Sequence, residues 1–144
     1  MCSSDLDLAA AYRLAVYHDL EEGIDNHFTV TVPGTDDQFF ILPFGMHWSE
    51  ATASSLIVYG VDGETVEGDG LCELSAHCIH TPIHRLTGAQ VVLHTHQTWA
   101  LALNMLENNR LAPASQSAAF FANRIAYDDV YAGTADFKIG RAHV

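Results

Sequence analysis

Val91-Val92-Leu93-His94-Thr95-His96 is the stretch on which the reading of this chain turns. Three apolar residues, two of them β-branched, read as a buried strand. Side chains alternate faces along a strand, so both imidazoles point one way and Thr95 the other. Two neutral imidazoles on one face at a rigid strand end make a ready pair of ligands for Zn²⁺ or a similar divalent ion. The competing reading is a histidine pair at a solvated strand end.

The flanks are helical. Residues 74–86 precede the strand and Thr98–Leu106 follow it, the latter with Leu101, Leu103 and Leu106 as expected core. Further out, Leu8, Tyr12, Ala15, Val16 and Leu20 fall near a 3.6 period and predict a helix over 7–22, with Gly23 as its stop. His27–Val32 is rich in β-formers and runs into the turn signal Pro33-Gly34. Phe39–Leu42 is the next strand, stopped by Pro43, and the two are expected to pair as a hairpin around Pro33–Asp37. A short helical turn near Ser49–Ser55, a strand over Leu56–Tyr59 and a hairpin-type turn at Asp62-Gly63 follow. A short helix between Pro113 and Phe121 and a short strand over Arg124–Tyr127 complete the expectation. Strands joined by tight turns and flanked by helices point to a layered α/β fold with a largely antiparallel central sheet.

Composition fits one domain. The chain has 144 residues, 49% apolar and 17% charged, enough for a real core and unlike a disordered segment. No stretch approaches the roughly 20 apolar residues of a membrane helix. Six Lys and Arg against 18 Asp and Glu give a net charge of −12, which argues against nucleic acid or an anionic membrane as partner. Cys72 and Cys78 fit neither a CxxC site nor a disulfide framework, so a reducing cytoplasm is the expected compartment.

The two ends mirror each other at the nucleotide level. Ile139-Gly140-Arg141-Ala142-His143 can be written ATC GGA AGA GCA CAC, whose reverse complement encodes Met-Cys-Ser-Ser-Asp from a GTG start, the residues at 1–5. An inverted sequencing adapter at both ends of a read produces such a pattern. Residues 1–6 and 139–144 are therefore expected to be adapter-derived, leaving 7–138 as a C-terminally incomplete domain.

Several motifs fall in an ordered series. Leu8–Ala15 opens the first helix, and Glu22-Gly23-Ile24-Asp25-Asn26-His27-Phe28-Thr29 leads into the first strand. Leu42-Pro43-Phe44-Gly45-Met46-His47-Trp48-Ser49-Glu50-Ala51-Thr52-Ala53-Ser54-Ser55-Leu56 follows, then Val61-Asp62-Gly63, Val66-Glu67-Gly68, Ile79-His80, Ile83-His84-Arg85 and His94-Thr95-His96. Ser115-Gln116 through Phe120 and Ala126-Tyr127 close the series. In order and spacing the chain resembles the class II aldolase/adducin domain family over nearly all of residues 8–131.

The resemblance implies a three-layer α/β/α sandwich and a homotetramer with sites near subunit interfaces. It implies a small-molecule carbonyl substrate and a divalent ion, commonly Zn²⁺, which stabilises an enediolate during C–C cleavage. Carried over, His94 and His96 are metal ligands. A third His lies beyond Lys138 in such relatives, and His143 falls in the suspected adapter, so weak or no activity is expected of residues 1–144. His80 and His84, four apart on one helix face with His77 a turn earlier, are expected to pack behind the site. Asn26, His27 and Gly45 are expected to line it. Gln116 and Tyr127 are further pocket candidates.

Two departures bear on chemistry. The aldolases carry an acid/base Glu about nineteen residues before the first metal His. Here that offset falls on Ser75, as in the adducin-like branch, with Glu73 two residues upstream. Glu73 either takes the acid/base role or is a solvated acid favouring a helix N-terminus. The Ser pair that helps hold phosphate in the aldolases maps to Glu73 and Leu74, whose side chains cannot donate to phosphate. These departures favour a non-phosphorylated hydroxy-carbonyl or sugar-like substrate. The readings in competition are a metal-dependent lyase (or related isomerase or decarboxylase) and an adducin-like non-catalytic module for binding or oligomerisation.

Overall fold

The computed structural model describes residues 3–129. Its elements in chain order are helix α1 (Ser3–Tyr17), strands β1 (His27–Thr31), β2 (Gln38–Ile41), β3 (Ile57–Gly60) and β4 (Thr65–Glu67), helix α2 (Leu74–Thr87), strand β5 (Val91–His94), and helices α3 (Thr98–Asn104) and α4 (Gln116–Phe120). Two 3₁₀ turns, Trp48–Glu50 and Ala53–Ser55, lie between β2 and β3. The five strands form one antiparallel sheet in the order β4-β3-β2-β1-β5.

Strand alternation assigns the layers. In β1, Phe28 and Val30 face α1, packing with Leu8, Tyr12, Leu42 and Trp48. His27, Thr29 and Thr31 face the other way and bond His80 and His84 of α2. In β2, Phe40 joins the α1 side, whereas Phe39 and Ile41 pack with Ile57, Tyr59 and Ala76 on the α2 side. The expected α/β/α sandwich is therefore present, with α1 on one face of the sheet and α2 on the other. Tyr12 is the rivet of the α1 layer. Its buried hydroxyl donates to the Phe28 carbonyl at 2.6 Å and accepts the Phe28 and Leu42 amides at 3.0 and 3.2 Å. Burial pushes the Tyr12 phenol well above its usual range.

Turn chemistry sets the route into the site. α2 ends at Gly88, whose φ of +71° gives the left-handed cap, with its amide bonded to the His84 carbonyl at 2.9 Å. The chain then enters β5, whose register against β1 places His94 opposite His27.

Several elements differ from expectation. α1 begins at Ser3, ahead of residue 7, with Asp5 in its first turn, where an acid favours the helix dipole. β5 is an edge strand among the described residues: Val91 is 50% and Leu93 57% exposed, because only β1 flanks it. α3 ends at Asn104; Leu101 and Leu103 are half-buried and Leu106 is exposed, so they are not core. No described layer covers that helix, and Trp99 stands 79% exposed. Arg124–Tyr127 forms no strand and pairs with none of the described strands; Tyr127 is held instead by the Leu111 amide and the Arg110 guanidinium. β4 was not expected: Thr65–Glu67 is too short for periodicity to mark, although the Asp62-Gly63 turn beside it was legible. No described helix is long and apolar enough to cross a membrane.

Candidate functional site

His94 ends β5 and His96 follows it by two residues, and the two Nε2 atoms lie 2.8 Å apart. Behind them, His96 Nδ1 is 2.8 Å from Glu22 Oε2. A carboxylate only accepts, so Nδ1 carries the hydrogen, which leaves Nε2 as the nitrogen a metal would take. Two imidazoles on one tetrahedral Zn²⁺ at about 2.0–2.1 Å would hold their nitrogens about 3.4 Å apart. A small opening of the pair therefore accommodates an ion, and His94 and His96 fit as two of its ligands. No group of three His, Cys, Asp or Glu among the described residues is arranged to hold one.

Glu22 reaches His96 because its loop is held by Asn26, whose Oδ1 accepts the Glu22 amide at 2.7 Å. The buried Asn26 leaves its Nδ2 without a partner. Asn26 is one wall of a recess also lined by His27, Phe44, Gly45, Trp48 and Glu73. Gly45 is fixed at φ +90°, with open space where a Cβ would stand. The expected substrate-lining residues Asn26, His27 and Gly45 thus share one recess with Glu73. No Lys or Arg lines it among the described residues.

Glu73 caps a helix and also lines the recess, a placement compatible with either role the sequence left open. It is the N-cap of α2, its carboxylate accepting the Ala76 amide at 2.9 Å. The same Oε2 contacts the Ser75 hydroxyl and lies 3.6 Å from His27 Nε2. His27 in turn stacks on His94, ring centroids 4.6 Å apart. Ser75, at the offset where the aldolases carry Glu, is therefore a contact between Glu73 and His27, with its Oγ 3.2 Å from His27 Nε2. Burial, with His94 and His96 close by, pulls His27 down to about 3.

His80 and His84 lie behind this cluster in the core. Both bond Thr29 Oγ1, at 2.6 and 2.7 Å, and His80 Nε2 is 2.9 Å from His27 Nδ1. They are engaged with β1 rather than with each other across a metal. Tyr127 is remote from the recess: its hydroxyl accepts the Leu111 amide at 2.9 Å and Arg110 sits over its ring. Gln116 opens α4, and neither it nor α4 reaches the recess lining. Cys72 and Cys78 are not joined in a disulfide, and burial pushes the Cys72 thiol up to about 12. Residues 130–144, including His143 and the suspected adapter tail, lie outside the described residues.

Sequence reasoning missed Glu22 and Thr29 as site residues and marked Ser75 only as the residue at the acid/base offset. Glu22 is 74 positions from His96, and the two other contacts depend on how α2 seats on the sheet. No local spacing carries such partners.

A profile of the Class II Aldolase and Adducin N-terminal domain matches residues 6–143. The chain belongs to this family. A Pseudomonas aeruginosa protein provisionally named aldolase class 2 protein is 35% identical, over 90% of this chain and 50% of its own length. Alpha-adducin of Rattus norvegicus is 32% identical over 86% of this chain and 17% of its own length. The solved structure of L-fuculose 1-phosphate aldolase from Glaciozyma antarctica PI12 superposes with a TM-score of 0.82 at 26% identity, covering 94% of this chain and 56% of that one. The chain thus spans about half the length of the first curated relatives it matches. Within the class II aldolase and adducin family, the recess and the His94–His96 pair sit in a fold shared by enzymes and by adducins alike.

Proposed function

We propose that this chain is part of a metal-dependent, aldolase-type lyase, or a related isomerase or decarboxylase, acting on a small hydroxy-carbonyl or sugar-like compound. One observation carries the reading: His94 and His96 converge through Nε2 while Glu22 holds the far side of His96. A scaffold has no physical need for two convergent, carboxylate-backed imidazoles. A divalent cation, Zn²⁺ in this proposal, would supply Lewis acidity there when bound. A third protein ligand would come from outside the described residues.

The chain's own residues supply the rest. Asn26 and Gly45 line the recess proposed for a substrate oxygen, and Gly45 keeps the wall low there. Glu73, within reach of the same space and held by Ser75, is the proposed proton acceptor and donor. The absence of a cation in the lining and the presence of Glu73 support an uncharged rather than a phosphorylated substrate. The assembly proposed is a homo-oligomer, tetrameric as in the aldolases, placed in the cytoplasm. Ser75 at the acid/base offset and the 32% identity to alpha-adducin favour a second reading, a binding module without chemistry.

Zinc and manganese affinity of the protein, set beside His94→Ala/His96→Ala, tests the proposal. Binding in the protein and its loss in the double variant, with the fold retained, is the expected result. A folded protein without affinity for either ion would leave the adducin-like module as the reading.

A further inference from the structure

Thr29 is fully buried on β1 between two histidines of α2, and the bonds around it can be assigned hydrogen by hydrogen. His84 Nδ1 lies 2.6 Å from the Ala89 carbonyl. A carbonyl only accepts, so Nδ1 carries the hydrogen. The neutral ring then turns an Nε2 lone pair to Thr29 Oγ1 at 2.7 Å. Thr29 has one hydroxyl hydrogen, which this contact uses. Its oxygen must therefore accept from His80 Nδ1, 2.6 Å away. His80 Nε2 is left with a lone pair, and His27 Nδ1–H donates to it across 2.9 Å. What remains of His27 is an Nε2 lone pair facing Ser75 Oγ at 3.2 Å.

The neutral form of the two α2 rings rests on burial, His80 being fully and His84 almost fully covered, which pulls both below the ordinary imidazole range. From the Ala89 carbonyl to Glu73 six contacts share five hydrogens, so one goes unfilled: it is the longest, His27 Nε2 to Ser75 Oγ at 3.2 Å, because placing the mismatch anywhere else leaves a shorter contact unfilled.

We propose that Thr29 is a positioning residue: anchored through His84 on the Ala89 carbonyl, its hydroxyl sets His80, and through it His27, in the Nδ1–H form, so that His27 presents a lone pair to Ser75 beside Glu73. The role in chemistry rests on the proposed function above; the hydrogen assignment does not. Its consequence lies at Ser75, which has one hydroxyl hydrogen for two acceptors, His27 Nε2 and Glu73 Oε2. That hydrogen goes to Glu73, the shorter contact, so Ser75 donates to the carboxylate and the His27 Nε2 lone pair faces the Ser75 oxygen. The run from the Ala89 carbonyl thus ends at His27 Nε2, beside Ser75 and Glu73, and the buried histidines hold that end in place.

The test is spectroscopic and needs no substrate. The full chain, labelled with ¹⁵N in its histidines, is read by long-range ¹⁵N–¹H correlation, which distinguishes Nδ1–H, Nε2–H and imidazolium rings. At neutral pH the wild type should show His27, His80 and His84 as Nδ1–H, against the Nε2–H preference of histidine in water. Thr29→Val removes the hydroxyl at nearly constant shape; His80 and His27 should then shift to Nε2–H or to exchange averaging, while His84 stays on Ala89. Thr29→Ser should restore the wild-type pattern, which a purely packing role would not require. An Nε2–H or imidazolium His27 or His80 in the wild type overturns the proposal, as does an unchanged His27 in a folded Thr29→Val. Should Thr29→Val fail to fold, the wild-type spectrum decides alone. Lack of metal affinity in the same samples would count against the proposed function and leave the assignment standing.

Discussion

Glu22 holds His96 from behind, and its loss reads directly on the histidine pair. Its carboxylate takes the Nδ1 hydrogen and so fixes which nitrogen of His96 is free. Removing such a partner costs about 10–100-fold in metal affinity. The Glu22 side chain is 60% exposed, so solvent screens the contact and the effect belongs at the low end. Glu22→Ala is expected to weaken zinc binding about tenfold, measured by competition with a chromophoric chelator, with the thermal transition unmoved. An affinity equal to wild type would show that Glu22 does not orient His96. At this scale the sequence was partly legible. The spacing of His94 and His96 was enough to place both imidazoles together, because a strand's period of two leaves no freedom. Asn26, His27 and Gly45 were legible only through resemblance. The partners that orient them were hidden, since Glu22, Thr29 and Ser75 reach the site through tertiary packing.

Elements are held to one another by a few buried polar bonds, and Tyr12 is the clearest. The hydroxyl joins α1 to β1 and to the chain leaving β2 by three bonds at once. Tyr12→Phe keeps the ring contacts with Phe28 and Trp48 but removes the partner of two buried amides. At about 1–3 kcal/mol for each orphaned donor, the variant should lose at least about 2 kcal/mol, read as a lower denaturant midpoint at unchanged slope. The α2 terminus gives a second case. Gly88 stands at φ +71° with nothing near its absent Cβ, so Gly88→Ala tests backbone strain alone and should cost about 1 kcal/mol. Elements with strong local signals, α2 and the β1–β2 hairpin among them, were read correctly from period and turn residues. β5 was legible as a strand but not as an edge. Its run of Val91, Val92 and Leu93 is what a covered strand shows, and whether a neighbour lies beyond it is set by topology, not by the strand itself. α3 carries the same lesson: apolar residues at helical spacing became core only in expectation, because no described layer covers them.

The whole molecule places its titratable rings unevenly, and this makes its stability depend on pH in a direction that can be worked out. Three neutral imidazoles are sealed between sheet and α2: His27 held at about 3, His80 well below its ordinary value and His84 lowered, each chiefly by burial. Around them lie Thr29, Thr31, Ser75, His94 and the Glu73 carboxylate, 3.6 Å from His27. In the unfolded chain the same rings titrate near 6.5. A folded state with lowered values binds fewer protons than the unfolded state below that pH, so stability is full above about pH 6.5 and falls as the pH drops through it. The decline should reach about 1.4 kcal/mol per pH unit for each ring charged only on unfolding, and for His27 it should stop near pH 3. Between pH 6.5 and 5 ordinary carboxylates are still largely ionised, which isolates the histidines as the cause. Denaturant titrations at pH 8, 7, 6 and 5 should therefore give a plateau followed by a fall of more than one proton's slope. A flat profile from pH 8 to 5 would mean that the rings admit protons, or open to water, without unfolding. A bound divalent ion should lower the onset of the fall by stabilising the state in which His94 and His96 are unprotonated.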